Sequence, residues 1–108
     1  MTFTNISSKE LNEFLLSDKK DFILVDTRTQ EEHEEEKIPQ TDILIPINEI
    51  ALRHKEINIS NDKTKIILYC RSGNRSAIAA QILAKLGYKN LFNLENGIIE
   101  FSELYQTE

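Results

Sequence analysis

The single cysteine of this chain stands in the run Tyr69-Cys70-Arg71-Ser72-Gly73-Asn74-Arg75-Ser76. Upstream, Ile66-Ile67-Leu68-Tyr69 is short and apolar, with two β-branched residues, as suits a strand covered on both faces. Downstream, a period of 3.6 begins near Ser76 and places Ile78, Ala79, Ile82, Leu83 and Leu86 on one face. The polar run between them is therefore a tight loop joining a strand to a helix. A loop that curls back over its own first side chain needs unusual backbone angles. Gly73 and Asn74 are the residue types that adopt them. Successive N–H groups in such a loop form an anion-binding nest, and the start of the helix adds its positive dipole end. Arg71 and Arg75 bring two permanent cations. Each of these terms favours a thiolate over a thiol. A free thiol, with a pKa of about 8.5, is only about 3% ionised at pH 7. The chemistry this arrangement suits is attack by sulfur on an anion cradled in the same cup, through a covalent intermediate. A cysteine ending an apolar strand is more often a small, inert core residue. A core cysteine has no use for a flank of polar and small residues, so Cys70 reads as a nucleophile, with Arg71, Ser72, Gly73, Asn74, Arg75 and Ser76 binding its substrate.

Other segments must position that loop. Ser7-Ser8-Lys9-Glu10 fits a capping box, flanked by Ile6 and Leu11 at staple positions, and Leu11, Phe14 and Leu15 mark the buried face of the helix it opens. Phe22-Ile23-Leu24-Val25 reads as a buried strand ending at Asp26-Thr27-Arg28. Thr29 to Glu32 offers a second capping box, and Ile43-Leu44-Ile45 a further strand stopped by Pro46. A helical stretch follows, with Ile47, Ile50 and Ala51 on one side. Gly87 closes the helix after the cysteine loop as a left-handed residue. Leu91-Phe92-Asn93-Leu94 is a last strand, and Gly97 opens a helix with Ile98, Phe101 and Leu104 inward. Short strands, apolar on both faces and alternating with helices, predict an α/β fold: one mainly parallel sheet with helices on both faces. Ligands in such folds bind beyond the carboxyl ends of the strands, where Asp26-Thr27-Arg28 and the cysteine loop both fall.

Length and composition bound the rest. The 108 residues suit one domain over the whole chain. A formal charge of −5 argues against a general nucleic-acid binder, which needs a basic face. No apolar stretch is long enough to span a bilayer, and the first residues show no basic-then-apolar leader. One cysteine excludes an internal disulfide and, without an export signal, reads as a reduced thiol in the cytoplasm.

Cys-Arg-Ser-Gly-Asn-Arg-Ser after an apolar strand resembles the active-site loop of the single-domain rhodanese-like sulfurtransferases. Leu24-Val25-Asp26-Thr27-Arg28 resembles that family's Asp-x-Arg segment, and Glu31-Glu32 the acidic pair after it. Ile38-Pro39 and Ile45-Pro46 resemble its two Ile-Pro points, and Leu86-Gly87-Tyr88 and Asn93-Leu94-Glu95-Asn96-Gly97 its closing helix, strand and turn. The resemblance implies that Cys70 takes a sulfane sulfur from thiosulfate or another persulfide donor, holds it as a persulfide, and passes it to a thiophilic acceptor. The acceptor would be cyanide in an assay or a thiol in the cell; partners of this kind include a protein persulfide or a thioredoxin-like protein. No metal and no organic cofactor is implied. Glu36-Lys37 and Gln40-Thr41 stand where the family often has Gly-His and Gly-Ala around the first Ile-Pro. Phe101 stands where Trp is frequent.

The cell-cycle tyrosine phosphatases that share this fold have five residues between cysteine and arginine. Only four separate Cys70 from Arg75, a narrower ring that suits a terminal sulfur better than a phosphoryl group with three peripheral oxygens. A small phosphatase or arsenate reductase, and a non-catalytic anion- or protein-binding module, stand as the alternatives. Asp26 and Arg28 are expected to tie loops together near the site rather than touch substrate. The run Glu31-Glu32-His33-Glu34-Glu35-Glu36 reads as a solvated helix face, and His33 and His54 as surface residues.

Overall fold

The computed structural model describes residues 2–108. In chain order its elements are β1 (Thr4–Ile6), α1 (Ser8–Leu16), β2 (Phe22–Asp26), α2 (Gln30–Glu35) and β3 (Ile43–Leu44). A short 3-10 turn leads into α3 (Ile50–Arg53), followed by β4 (Lys65–Tyr69), α4 (Asn74–Lys85), β5 (Leu91–Leu94) and α5 (Gly97–Leu104). All five strands run parallel in the order β1-β5-β4-β2-β3. Parallel neighbours require crossovers, which is why each strand is followed by helix before the next strand or the chain end.

The helices start where the local chemistry dictates. Ser7 and Glu10 close a reciprocal capping box on α1, and Thr29 and Glu32 close one on α2. The core divides along β4 by the alternation of its side chains. Ile67 and Tyr69 face one cluster with Leu11, Leu24, Leu94 and Phe101 beneath α1 and α5. Ile66 and Leu68 face the other, with Val25, Ile50, Ala79 and Leu83 beneath α3 and α4. Burying side chains of this size contributes roughly 1.5–3 kcal/mol each relative to exposure. The connection from β2 leads outward to β3, and the connection from β4 leads the opposite way to β5. The switch point therefore lies between the carboxyl ends of β2 and β4, where an open parallel sheet leaves a crevice.

Several local expectations are corrected. Thr4–Ile6 forms an edge strand on β5 that the sequence does not announce, because only Ile6 of its three residues is buried. The helix after the cysteine begins at Asn74, two residues before the apolar period suggests. Its buried side is Ser76, Ala79, Ala80 and Leu83, while Ile78 and Leu86 are 51% and 47% exposed. Small residues face the sheet there because α4 packs close to β4 and β5. Ala51 is exposed, and Leu104, at 60% exposure, points away from the core that Ile98 and Phe101 enter.

Candidate active site

Cys70 is the first residue after β4, and only 1% of it is exposed. Its sulfur does not end in hydrocarbon. Sγ accepts the N–H of Gly73 at 3.1 Å, the N–H of Ser76 at 3.4 Å and the hydroxyl of Ser76 at 3.4 Å. The helix start explains this. Gly73 is the N-cap of α4 and has no side chain to offer, so the first amides of that helix lack an internal acceptor. The cysteine sulfur takes the place that a capping oxygen would hold for the third helical amide. Burial pushes the Cys70 thiol up, but the Ser76 hydroxyl and the amides of Ser76, Gly73 and Ser72 outweigh it and hold the thiol below its ordinary value.

The loop is shaped by two glycines. Gly73 has φ +99°, and a Cβ there would lie 2.0 Å from the carbonyl oxygen of Glu95. Gly97 has φ +69°, and its Cβ would lie 2.0 Å from the carbonyl oxygen of Arg71. Each glycine thus lets the 70–76 loop and the turn before α5 approach backbone to backbone. The contact is bonded: the N–H of Ile98 donates to the Cys70 carbonyl at 2.9 Å, and that of Ile99 to the Arg71 carbonyl at 3.1 Å. Asn74, by contrast, is helical and exposed, so only Gly73 supplies the unusual angle.

Asn93 completes the cup from β5. Its side-chain oxygen accepts the Ser76 hydroxyl, and its amide group donates to Asn5 at 3.0 Å and to the Gly73 carbonyl at 3.3 Å. The single Ser76 hydroxyl proton is shared between Asn93 and the sulfur. An amide side chain in an otherwise apolar strand was the one sequence signal of this role, and it is 3% exposed.

Asp26, Thr27 and Arg28 lie at the end of β2, across the crevice. The Thr27 N–H and hydroxyl both donate to the Tyr69 carbonyl at 2.9 Å, which joins the two strand ends. Asp26 accepts the Arg28 N–H at 2.9 Å, its Nε at 2.9 Å and one terminal nitrogen at 2.8 Å. That terminal nitrogen also donates to the Glu36 carbonyl at 2.6 Å. His33 Nδ1 stands 3.0 Å from the second Asp26 oxygen, so His33 is half-buried against this pair rather than a free surface residue. His54 is likewise half-buried, with Nδ1 2.8 Å from the Tyr88 hydroxyl. The Tyr69 phenol is pushed up to about 12 by burial and by Asp26, which leaves it a neutral hydrogen-bonding group.

The loop cations differ. Arg71 is exposed, whereas Arg75 makes a two-pronged pair with Glu32 at 2.8 and 2.9 Å. Arg75 holds the Glu32 carboxyl at about 2. The acidic run is therefore not wholly a solvated face: Glu32 turns back to the cysteine loop.

Comparison with known proteins places this geometry among relatives. A family model described as Rhodanese-like domain matches residues 7–104. The chain is 37% identical over 97 residues to a protein of Allochromatium vinosum named Sulfurtransferase, covering 90% of this chain and 86% of that one. It is 37% identical over 105 residues to an uncharacterized protein of Rickettsia prowazekii, covering 90% and 85%. It superposes on the crystal structure of a rhodanese-related protein from Thermoplasma volcanium with a TM-score of 0.82 and 29% identity, covering 98% of each chain.

Proposed function

Since this chain belongs to the rhodanese-like domain family, we propose that it transfers a sulfane sulfur through a persulfide on Cys70. The donor is thiosulfate or another persulfide, and the acceptor is a thiol. The observation that carries this reading is the ring of donors on Cys70 Sγ, from Gly73 and Ser76. The relative from Allochromatium vinosum is named a sulfurtransferase, which agrees with it.

The steps balance without a cofactor. The Cys70 thiolate attacks the sulfane sulfur. A new S–S bond forms on Cys70 as the donor's bond to that sulfur breaks, and the electron pair leaves on sulfite or on a thiolate. In the second half the acceptor's sulfur, or cyanide carbon, attacks the outer sulfur, and Cys70 recovers the electron pair. No external base is needed, because the hydrogen bonds to Sγ favour the thiolate before the donor arrives. The remaining N–H groups of residues 71–76 hold the outer sulfur and the donor's anionic oxygens. Arg71, exposed on the loop, favours an anionic donor, while Arg75 in the first turn of α4 is paired with Glu32.

The test is intact mass after incubation with thiosulfate and removal of the excess. The wild type gains one sulfur atom, cyanide removes it, and Cys70→Ser gains none. Hydrolysis of an aryl phosphate with no sulfur gain would replace this reading with a phosphatase, and an inert thiol would replace it with a binding module.

A further inference from the structure

The Arg75 guanidinium is gripped by both oxygens of Glu32, Nη1 to Oε1 at 2.8 Å and Nη2 to Oε2 at 2.9 Å. Such fork-on-fork pairs fix orientation as well as charge. The carboxylate is itself held from behind: Oε1 accepts the Thr29 N–H at 3.0 Å, as the third residue of the α2 capping box. Swinging Glu32 away would therefore give up its half of that capping box. Arg75 sits one residue before Ser76, whose amide and hydroxyl both reach the sulfur. Glu32 above all, with the Cys70 sulfur and Asp26 adding, holds the Arg75 guanidinium more firmly protonated than usual.

Arg71 is the contrast. It is exposed and forms no ion pair among the described residues. It shares a recess of about 130 Å³ with Glu32, Glu35, Glu36 and Ile99 beside the loop. Arg28, which also lines that recess, is committed to Asp26. At the mouth, then, one loop cation is offset by a fixed carboxylate, one is open, and further carboxylates stand nearby. A thiolate-bearing site of that charge repels a dianion more than a monoanion.

We propose that Glu32 is a specificity-determining positioning residue: by offsetting Arg75 it tunes the cysteine site toward singly charged alkyl persulfide donors and away from dianionic thiosulfate. The proposal rests on the sulfur-transfer reading above and deepens it. Arg75 keeps N–H groups for hydrogen bonding, so its orientation still serves the site while its net attraction for a second negative charge is cancelled.

The two sides of one ion pair should move donor preference in opposite directions. The quantity read is kcat/KM for thiosulfate divided by kcat/KM for ethyl persulfide, with cyanide as acceptor. In Glu32→Gln, which can still complete the capping box, this ratio rises about three- to tenfold, and added salt erodes the change. In Arg75→Gln it falls by a similar factor, and the double variant returns near the wild type. Alkylation of Cys70 by iodoacetate relative to iodoacetamide follows the same order and needs no sulfur transfer. A pair that serves only the fold lowers both donors together in both variants. That pattern, or unchanged ratios, overturns the proposal. Absence of transfer from either donor in the wild type, with the alkylation order intact, removes the sulfur-transfer reading and leaves the charge role of Glu32 standing.

Discussion

The ends of β2 and β4 lie side by side at the switch point, and both are polar, yet they are built in opposite ways. At the end of β2 the donors are paired within the protein: Asp26 takes three hydrogen bonds from Arg28, Arg28 adds the Glu36 carbonyl, and Thr27 donates to the Tyr69 carbonyl. At the end of β4 the donors are backbone amides and a hydroxyl, and they converge on a single polarizable sulfur. A closed network of full charges stabilises a geometry and has nothing left for a ligand. A cup of partial charges stabilises an anion and keeps its remaining donors open. The lesson is that polarity at a sheet edge does not mark reactivity; an incomplete set of partners does.

The sharpest way to break the comparison is Asp26→Ala. It leaves the Arg28 guanidinium buried and unpaired, and should cost about 3–5 kcal/mol of stability, read as a lower urea midpoint. If stability holds and only sulfur transfer is lost, the β2 end is a binding site and the contrast fails. Gly97→Ala comes next, since a methyl group there meets the Arg71 carbonyl oxygen at 2.0 Å. The loop must shift, and sulfur acceptance should fall about a hundredfold.

Ser76→Ala probes the cup itself. Loss of one hydroxyl donor should move the pH midpoint of Cys70 alkylation upward and slow the reaction at pH 7 by about tenfold. The same linkage has a stability side. Because the folded thiol titrates below its unfolded value, the ionised form contributes stability that is fully present above the unfolded pKa. It is lost as pH falls through the folded pKa. The stability of the wild type relative to Cys70→Ser should therefore rise from neutral pH toward the free-thiol range. The smallest effect belongs to a position outside both regions. Gln40 has φ +69°, which glycine adopts without strain, but its side-chain amide donates to the Leu15 carbonyl at 2.8 Å, so Gln40→Gly should change stability by less than about 1 kcal/mol. The thiol midpoint should not move.

Much of this was legible along the chain because the interactions are local. The partners in the capping boxes at Ser7 and Thr29 stand three residues apart, and so do the cysteine and the first amide that reaches it. The strands announced themselves by runs too apolar for an exposed surface, except β1, whose exposed Thr4 and Asn5 carry no such signal. The buried face of α4 keeps Ala79 and Leu83 but departs from the apolar period elsewhere, because hydrophobicity predicts what tends to be buried, whereas closeness of helix to sheet selects alanine and serine over Ile78.

Fold class, the cysteine loop and its thiolate-favouring character followed from residue type and short spacing, since neighbours in sequence cannot avoid one another in space. Only the folded chain decided that Asn93 backs Ser76, that Gly97 admits the Arg71 carbonyl, and that Glu32 claims Arg75. Those partners come from separate strands, turns and helices, 17, 26 and 43 residues apart in the pairs Ser76–Asn93, Arg71–Gly97 and Glu32–Arg75. Nothing in a residue's own type says which distant segment the crossovers of a parallel sheet will bring against it.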